Sequence, residues 1–169
     1  MSKRALKKYL SELNKEELGN QILNLYEKFP AVKEFYSFAF NPKEDKLVQE
    51  AKTKISNEYY PIKRKRARAR RSVAQKFIKN FISLGVDAPL VADVMLYNIE
   101  IAQQFSLEKN VPDAFFKSML NSFAQATQYI SNNALLPEFK NRILTIYNHS
   151  QDNNWLYSEG FSRALDILE

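Results

Sequence analysis

Apolar side chains recur along almost the whole chain with the three- and four-residue spacing that places them on one face of an α-helix. Asn14, with Glu17 three residues later, is a typical capping box at the start of one such stretch. Asn41 and Pro42 are expected as the N-cap and first residue of another helix, with Glu44 completing a similar box. The pattern predicts about eight or nine helices with short connections and no β-strand.

Residues 87–105 are expected to form the centre of the fold, because their apolar positions cover most of a helix circumference. Short connections make consecutive helices antiparallel neighbours. We therefore expect an all-α fold, either a compact multi-helix bundle or a short stack of helical hairpins. The chain of 169 residues has the length of one domain, so a single domain is predicted over residues 1–169.

The net positive charge is concentrated in residues 63–71, KRKRARARR, which we call the basic segment. The whole chain has 25 Lys and Arg residues against 19 Asp and Glu residues. Without the seven cations of the basic segment, the balance would be 18 against 19. Because the net positive charge, and with it the electrostatic field, is concentrated in one short segment, we expect that segment to attract a polyanion.

Nucleic acid is the polyanion that the basic segment and its neighbours favour. The planar arginine fork suits phosphate oxygens, and the two tyrosines just before the segment are expected to offer ring faces on which bases stack. RNA is slightly favoured over DNA, because such stacking needs unpaired bases. The expected contacts are Tyr59, Tyr60, Lys63, Arg64, Lys65, Arg66, Arg68, Arg70 and Arg71.

The basic segment is predicted to lie at the start of a central helix. If it is helical and continuous with the apolar stripe at Val73 and Phe77, three of its cations face the core, where unpaired charges cannot be buried. These three are Arg70, Arg66 and Lys63. Either the helix then projects beyond the bundle, or its cations pair with acids. The outward side would hold Arg64, Arg68 and Arg71. The acids available on the preceding helix are Glu44, Asp45, Glu50 and Glu58.

A protein–protein adaptor is the alternative function. Phe, Tyr and Trp make up 13% of the chain, more than a small core hides completely, so some are expected to form an exposed groove for a partner helix. In this alternative the basic segment pairs internally or with an acidic partner protein. The oligomeric state is left open by the sequence.

Groups on which catalysis depends are scarce. The chain has no cysteine, and His149 is its one histidine. Asp93 and Glu100 share one side of the expected central helix, where they could perform acid–base chemistry, pair with an arginine of the basic segment, or form a polar edge, which we favour. We expect no enzyme activity, no cofactor and no metal.

No apolar run reaches membrane-spanning length and no secretory signal is visible, so a cytoplasmic location without membrane partners is expected.

Three stretches in the middle of the chain carry a resemblance to a known family. They are residues 41–52 (NPKEDKLVQEAK), 70–87 (RRSVAQKFIKNFISLGVD) and 92–103 (ADVMLYNIEIAQ). The chain resembles a family of short, all-helical, uncharacterised bacterial proteins that is known only as a domain of unknown function. The resemblance implies a bacterial, cytoplasmic origin and assigns no functional residue.

Overall fold

The computed structural model describes residues 1–166 of the chain. Nine α-helices and no strand occur in this range, which confirms the predicted all-α fold. The helices are α1 (Lys3–Ser11), α2 (Lys15–Lys28), α3 (Pro30–Phe40), α4 (Glu44–Tyr59), α5 (Arg71–Leu84), α6 (Ala88–Glu108), α7 (Asp113–Asn132), α8 (Leu136–Asp152) and α9 (Ser158–Leu165). They divide into two compact units, Met1–Lys43 and Glu44–Glu169, and each is described by itself. The single domain over residues 1–169 stays a prediction.

The first unit contains α1, α2 and α3, and the contacts within it join α2 to α3. The predicted capping box at the start of α2 is confirmed: the Glu17 amide donates to Asn14 Oδ1 at 2.9 Å, and the Asn14 amide donates to Glu17 Oε2 at 2.8 Å. None of the side chains of these three helices is fully buried. The unit therefore leaves much of its apolar surface exposed.

The capping box predicted at Asn41 is wrong. Asn41 ends α3 as its C-cap, whereas α4 begins only at Glu44, two residues after Pro42. The Glu44 carboxylate accepts a hydrogen bond from the Asp87 amide at 3.0 Å, so it satisfies a free N–H at the start of α6. Glu44 thus joins two helices of the second unit.

The second unit is built around α6, as predicted. This helix packs against α4, α5, α7 and α8, while α9 covers α7 and α8. Gly85 ends α5 with a left-handed φ of 81°, the conformation that glycine adopts at little cost. The buried side chains of α6 are Val91, Ala92, Val94, Met95, Leu96, Asn98, Ile99, Ala102, Gln103 and Phe105.

Trp155 is the anchor of an aromatic cluster between α7 and α9. Its side chain is 4% exposed. The centroid of the indole ring lies 5.3 Å from that of the Phe116 ring, 6.2 Å from that of Phe115 and 5.8 Å from that of Phe161, each pair in an edge-to-face arrangement. Aromatic rings prefer this geometry because the positive ring edge meets the negative face. The cluster fixes the C-terminal helix on the second unit.

No helix within residues 1–166 combines the length and apolar composition needed to cross a bilayer.

Candidate nucleic-acid interface

Residues 63–70 of the basic segment are not helical, contrary to the prediction that the segment lies at the start of a central helix. Helix α4 ends at Tyr59, and α5 begins only at Arg71. In between, the chain folds back, so that the backbone amides of Arg68 and Ala69 both donate to the Glu58 carbonyl at 2.9 Å. Ala69 has a left-handed φ of 47°, which a continuous helix does not allow. A loop closed on the end of α4 therefore carries the charges.

The Glu58 carboxylate holds this loop through two arginines. Arg70 donates from Nε to Oε2 at 2.8 Å and from Nη2 to Oε1 at 3.1 Å, and Arg64 Nη2 donates to Oε1 at 3.1 Å. Glu58 is only 6% exposed. Hydrogen bonds from Arg70 lower the pKa of this carboxyl below its ordinary value and outweigh the opposing effect of burial. We call Glu58, Arg64 and Arg70 the Glu58 clamp.

Arg64 also stabilises the C-terminal end of α4. Its Nη2 donates to the Asn57 carbonyl at 2.6 Å. The last carbonyls of a helix lack intrahelical partners and carry partial negative charge, so a cation is favourable there. Arg64 and Arg70 are therefore internal partners of α4. This is the pairing with carboxylates that the sequence left as an alternative, with Glu58 as the acid that is used.

Arg71 connects the start of α5 to α7. Its Nε donates to Ser122 Oγ at 2.7 Å and its Nη2 to Gln125 Oε1 at 2.8 Å. Burial lowers the pKa of the Arg71 guanidinium. The expectation that Arg64 and Arg71 face outward is wrong, because both side chains are partly buried against polar partners of the protein itself.

The other four cations of the segment are exposed, and their side chains form no hydrogen bond or ion pair with any residue in the described range 1–166. We call them the free cations: Lys63, Lys65, Arg66 and Arg68. They project from a loop whose backbone the Glu58 clamp fixes. The segment thus divides into three arginines that hold its shape and four cations that face solvent.

The two tyrosines before the segment have different environments. Tyr59 is 2% exposed, and its hydroxyl donates to Asn98 Oδ1 at 3.4 Å. Burial raises the pKa of Tyr59. The expectation that Tyr59 offers a ring face to a base is therefore wrong. Tyr60 is partly exposed, its ring lies 5.9 Å from that of Phe105, and its hydroxyl donates to Glu108 Oε1 at 3.3 Å.

An open cleft of about 620 Å³ lies between the basic segment and the end of α6. We call it the Tyr60 cleft. Its volume is in the range of sites that hold small ligands. A second, more polar cleft of about 390 Å³ also includes Tyr60, together with Asn57, Ile62 and Tyr97. The walls of the Tyr60 cleft include Tyr60, Pro61, Lys65, Arg66, Phe105, Glu108 and Lys109.

Asp93 and Glu100 form a polar edge of α6, held by cations from other helices. Arg142 on α8 donates to Asp93 Oδ1 at 2.8 Å and to both oxygens of Glu100 at 2.9 Å. Lys52 Nζ lies 2.6 Å from Asp93 Oδ2. The arginine partner is therefore Arg142, not a residue of the basic segment. Sequence reasoning missed Arg142, because nothing in its neighbourhood indicates a partner 42 residues away.

His149 is partly buried near Trp155, and burial lowers the pKa of its imidazole. Within residues 1–166, no group of three or more His, Cys, Asp or Glu residues is arranged to hold a metal ion.

The structure is that of an all-helical protein in which the Glu58 clamp holds the basic segment beside the Tyr60 cleft. The chain belongs to the family of unknown function DUF6155, which matches residues 1–169. Comparison with curated proteins gave no match, and neither did comparison with solved structures.

Proposed function

We propose that this protein is a non-enzymatic, cytoplasmic nucleic-acid-binding protein that contacts single-stranded RNA in preference to DNA. The observation that carries the proposal is a set of four exposed cations on a loop fixed by the Glu58 clamp, whose side chains have no partner in the part of the chain that the structure describes. The cations of a basic run often form ion pairs with carboxylates of the same protein. Here the arginines that meet Glu58 hold the loop, and the four free cations stay available for phosphates.

A fixed loop favours binding more than a mobile one would. Ordering side chains and backbone on association costs free energy, and pre-organisation removes part of that cost. Arg64 and Arg70 fasten the two ends of the basic segment to the same carboxylate. Three of the free cations, Lys65, Arg66 and Arg68, lie between these two arginines, on a loop that is already closed before a ligand binds.

Tyr60 favours a single strand over a duplex. A partly exposed tyrosine that borders two clefts can stack on an unpaired base, whereas the bases of a duplex already stack on each other. The basic segment is a loop, so it does not offer the recognition helix that reads a DNA major groove. RNA is preferred because its recognition targets unpaired loops and ends, where bases are free to stack on aromatic side chains.

Fluorescence anisotropy with single-stranded RNA, single-stranded DNA and duplex DNA tests the proposal. A variant with Lys63→Gln, Lys65→Gln, Arg66→Gln and Arg68→Gln is expected to lose binding while it keeps its helical circular dichroism. If the four free cations neutralise about four phosphates, the wild-type log affinity falls with log salt at a slope of about −3 for a single strand. The matched control replaces four exposed lysines elsewhere in the second unit by Gln: Lys76, Lys79, Lys117 and Lys140.

The control variant undergoes the same change in net charge and is expected to bind nearly as well as the wild type. Equal loss of affinity in both variants would mean that overall charge alone attracts the strand. No binding by the wild type at low salt would overturn the proposal altogether.

An exposed groove on α2 and α3 favours a second candidate function, the helical adaptor. The groove has a volume of about 390 Å³ and an almost wholly apolar lining that includes Ile22, Tyr26 and Tyr36. Leu23 is 61% exposed and Phe40 is 86% exposed at its edge. Apolar side chains on one face of an amphipathic helix fill grooves of this kind. The occupant in this candidate is a short amphipathic helix of another protein.

Selection from a displayed library of amphipathic helical peptides tests the adaptor candidate. Enriched peptides are expected to carry apolar residues at helical spacing and to bind about tenfold more weakly to a Leu23→Ser, Phe40→Ser variant, which loses two apolar contacts. The four-cation variant is the control and should bind them unchanged. Enrichment that does not differ between the wild type and the groove variant would contradict an adaptor role for this groove.

A further inference from the structure

Among the described residues that line the Tyr60 cleft, one carboxylate lies near several cations. Lys65, Arg66 and Lys109 line the cleft together with Glu108. Within residues 1–166, none of these cations forms an ion pair with Glu108. Its one hydrogen bond there comes from the Tyr60 hydroxyl, at 3.3 Å to Oε1. A site for phosphate alone gains nothing from a carboxylate, because like charges repel.

An exposed carboxylate accepts hydrogen bonds and donates none at neutral pH, and its two oxygens suit a pair of adjacent N–H donors. Of the four bases, guanine alone presents two donors side by side on its Watson–Crick edge, N1–H and the N2 amino group. Adenine and cytosine present one amino group beside an acceptor nitrogen, and uracil presents one N–H between two carbonyls. Glu108 therefore matches guanine better than any other base.

We propose that the Tyr60 cleft is a guanine-selective nucleotide subsite for an unpaired residue of the bound strand. The base stacks on Tyr60, its N1–H and N2 amino group donate to the Glu108 carboxylate, and its phosphates meet Lys65, Arg66 and Lys109. This inference rests on the proposed function and adds a base preference to it.

The surroundings of Glu108 fit this role. Phe105, which is 8% exposed, supplies an apolar wall beside the carboxylate. The Tyr60 hydroxyl donates to Oε1, which orients the carboxylate next to the ring on which the base stacks. Stacking and edge recognition are then provided by two neighbouring side chains that contact each other.

Three single-stranded RNA decamers test the subsite by fluorescence anisotropy. Each is uridine throughout except for one central residue, which is guanosine, inosine or uridine. Inosine keeps N1–H but lacks the N2 amino group. The wild type is expected to bind the guanosine decamer about tenfold more tightly than the other two, since one bidentate base contact discriminates by roughly that factor.

Glu108→Gln is expected to abolish this preference, because the amide replaces one acceptor oxygen with a donor. The all-uridine decamer is expected to bind this variant more tightly than it binds the wild type, because a negative charge beside the phosphates is removed while the free cations are unchanged. Glu138→Gln, at an exposed position of α8, is the matched control and should keep the preference. A preference for guanosine that survives Glu108→Gln would overturn the assignment.

The outcomes separate the subsite from the proposed function. If the wild type binds all three decamers equally and the four-cation variant binds none, the guanine subsite is overturned and the proposed function stands. If the wild type binds no decamer at low salt, both are overturned.

Discussion

Replacing Glu58 with Gln is expected to lower the free energy of unfolding by about 2 kcal/mol, because two arginines lose a charged partner that is largely withdrawn from water. The amide also points a donor at the Arg64 and Arg70 guanidinium groups, which accept no hydrogen bonds. Denaturation by urea at neutral pH measures the change. Faster hydrogen exchange at the Arg68 and Ala69 amides, which donate to the Glu58 carbonyl, would report release of the loop.

Glu50→Gln is the matched control, since this glutamate of α4 has 59% of its side chain exposed and forms one long surface ion pair with Lys46 at 3.9 Å. Its effect should stay within about 0.5 kcal/mol. Equal stability of the Glu58→Gln variant and the wild type would contradict a structural role for the clamp.

The contribution of Glu58 to the free energy of unfolding should also depend on pH. Its folded-state pKa lies below the ordinary value of 4.5, so the stabilisation is complete above that value and is lost as pH falls through the lowered pKa. The difference in stability between the wild type and Glu58→Gln should therefore shrink in acid. A difference that stays constant down to strongly acidic pH would contradict the assignment.

Trp155→Ala is expected to have the largest effect on stability, a loss of about 4 kcal/mol, because it removes a buried indole from a cluster that cannot collapse fully around the space. The ring contacts Phe115, Phe116 and Phe161, so the packing of α9 on the second unit depends on it. Denaturation followed by circular dichroism measures the loss.

Leu156→Ala, at the next residue, is the control because that side chain is 47% exposed. It should cost less than about 1 kcal/mol. A similar small cost for Trp155→Ala would mean that the aromatic cluster does not hold α9 in place.

Local signals in the sequence were sufficient to predict an all-helical fold. The spacing of apolar residues and the capping box at Asn14 and Glu17 depend on residues within a few positions of each other. The box at Asn41 failed because the carboxylate of Glu44 is used by a distant amide, that of Asp87. Local patterns indicate which side chains can cap a helix, but the partner that such a side chain actually binds depends on tertiary packing.

The candidate site was predicted in part. The position of the charges was apparent from the sequence. Their division into clamp and free cations depends on how the loop returns to Glu58, and the preceding helix offers other carboxylates as well. Tyr59 could have been assigned to the core, because it follows Ile55 by four residues on the buried face of α4. The approach of Glu108 to Tyr60 depends on the packing of α6 against α4, which no local pattern contains.

The most direct test of the account is photo-crosslinking of the wild-type protein to a single-stranded RNA that carries 4-thiouridine beside a central guanosine, with the linked residues located by mass spectrometry. Binding through the free cations and the Tyr60 cleft predicts crosslinks between residues 60 and 68 and at the end of α6 near Lys109. Crosslinks confined to other helices, with none in these two stretches, would contradict it.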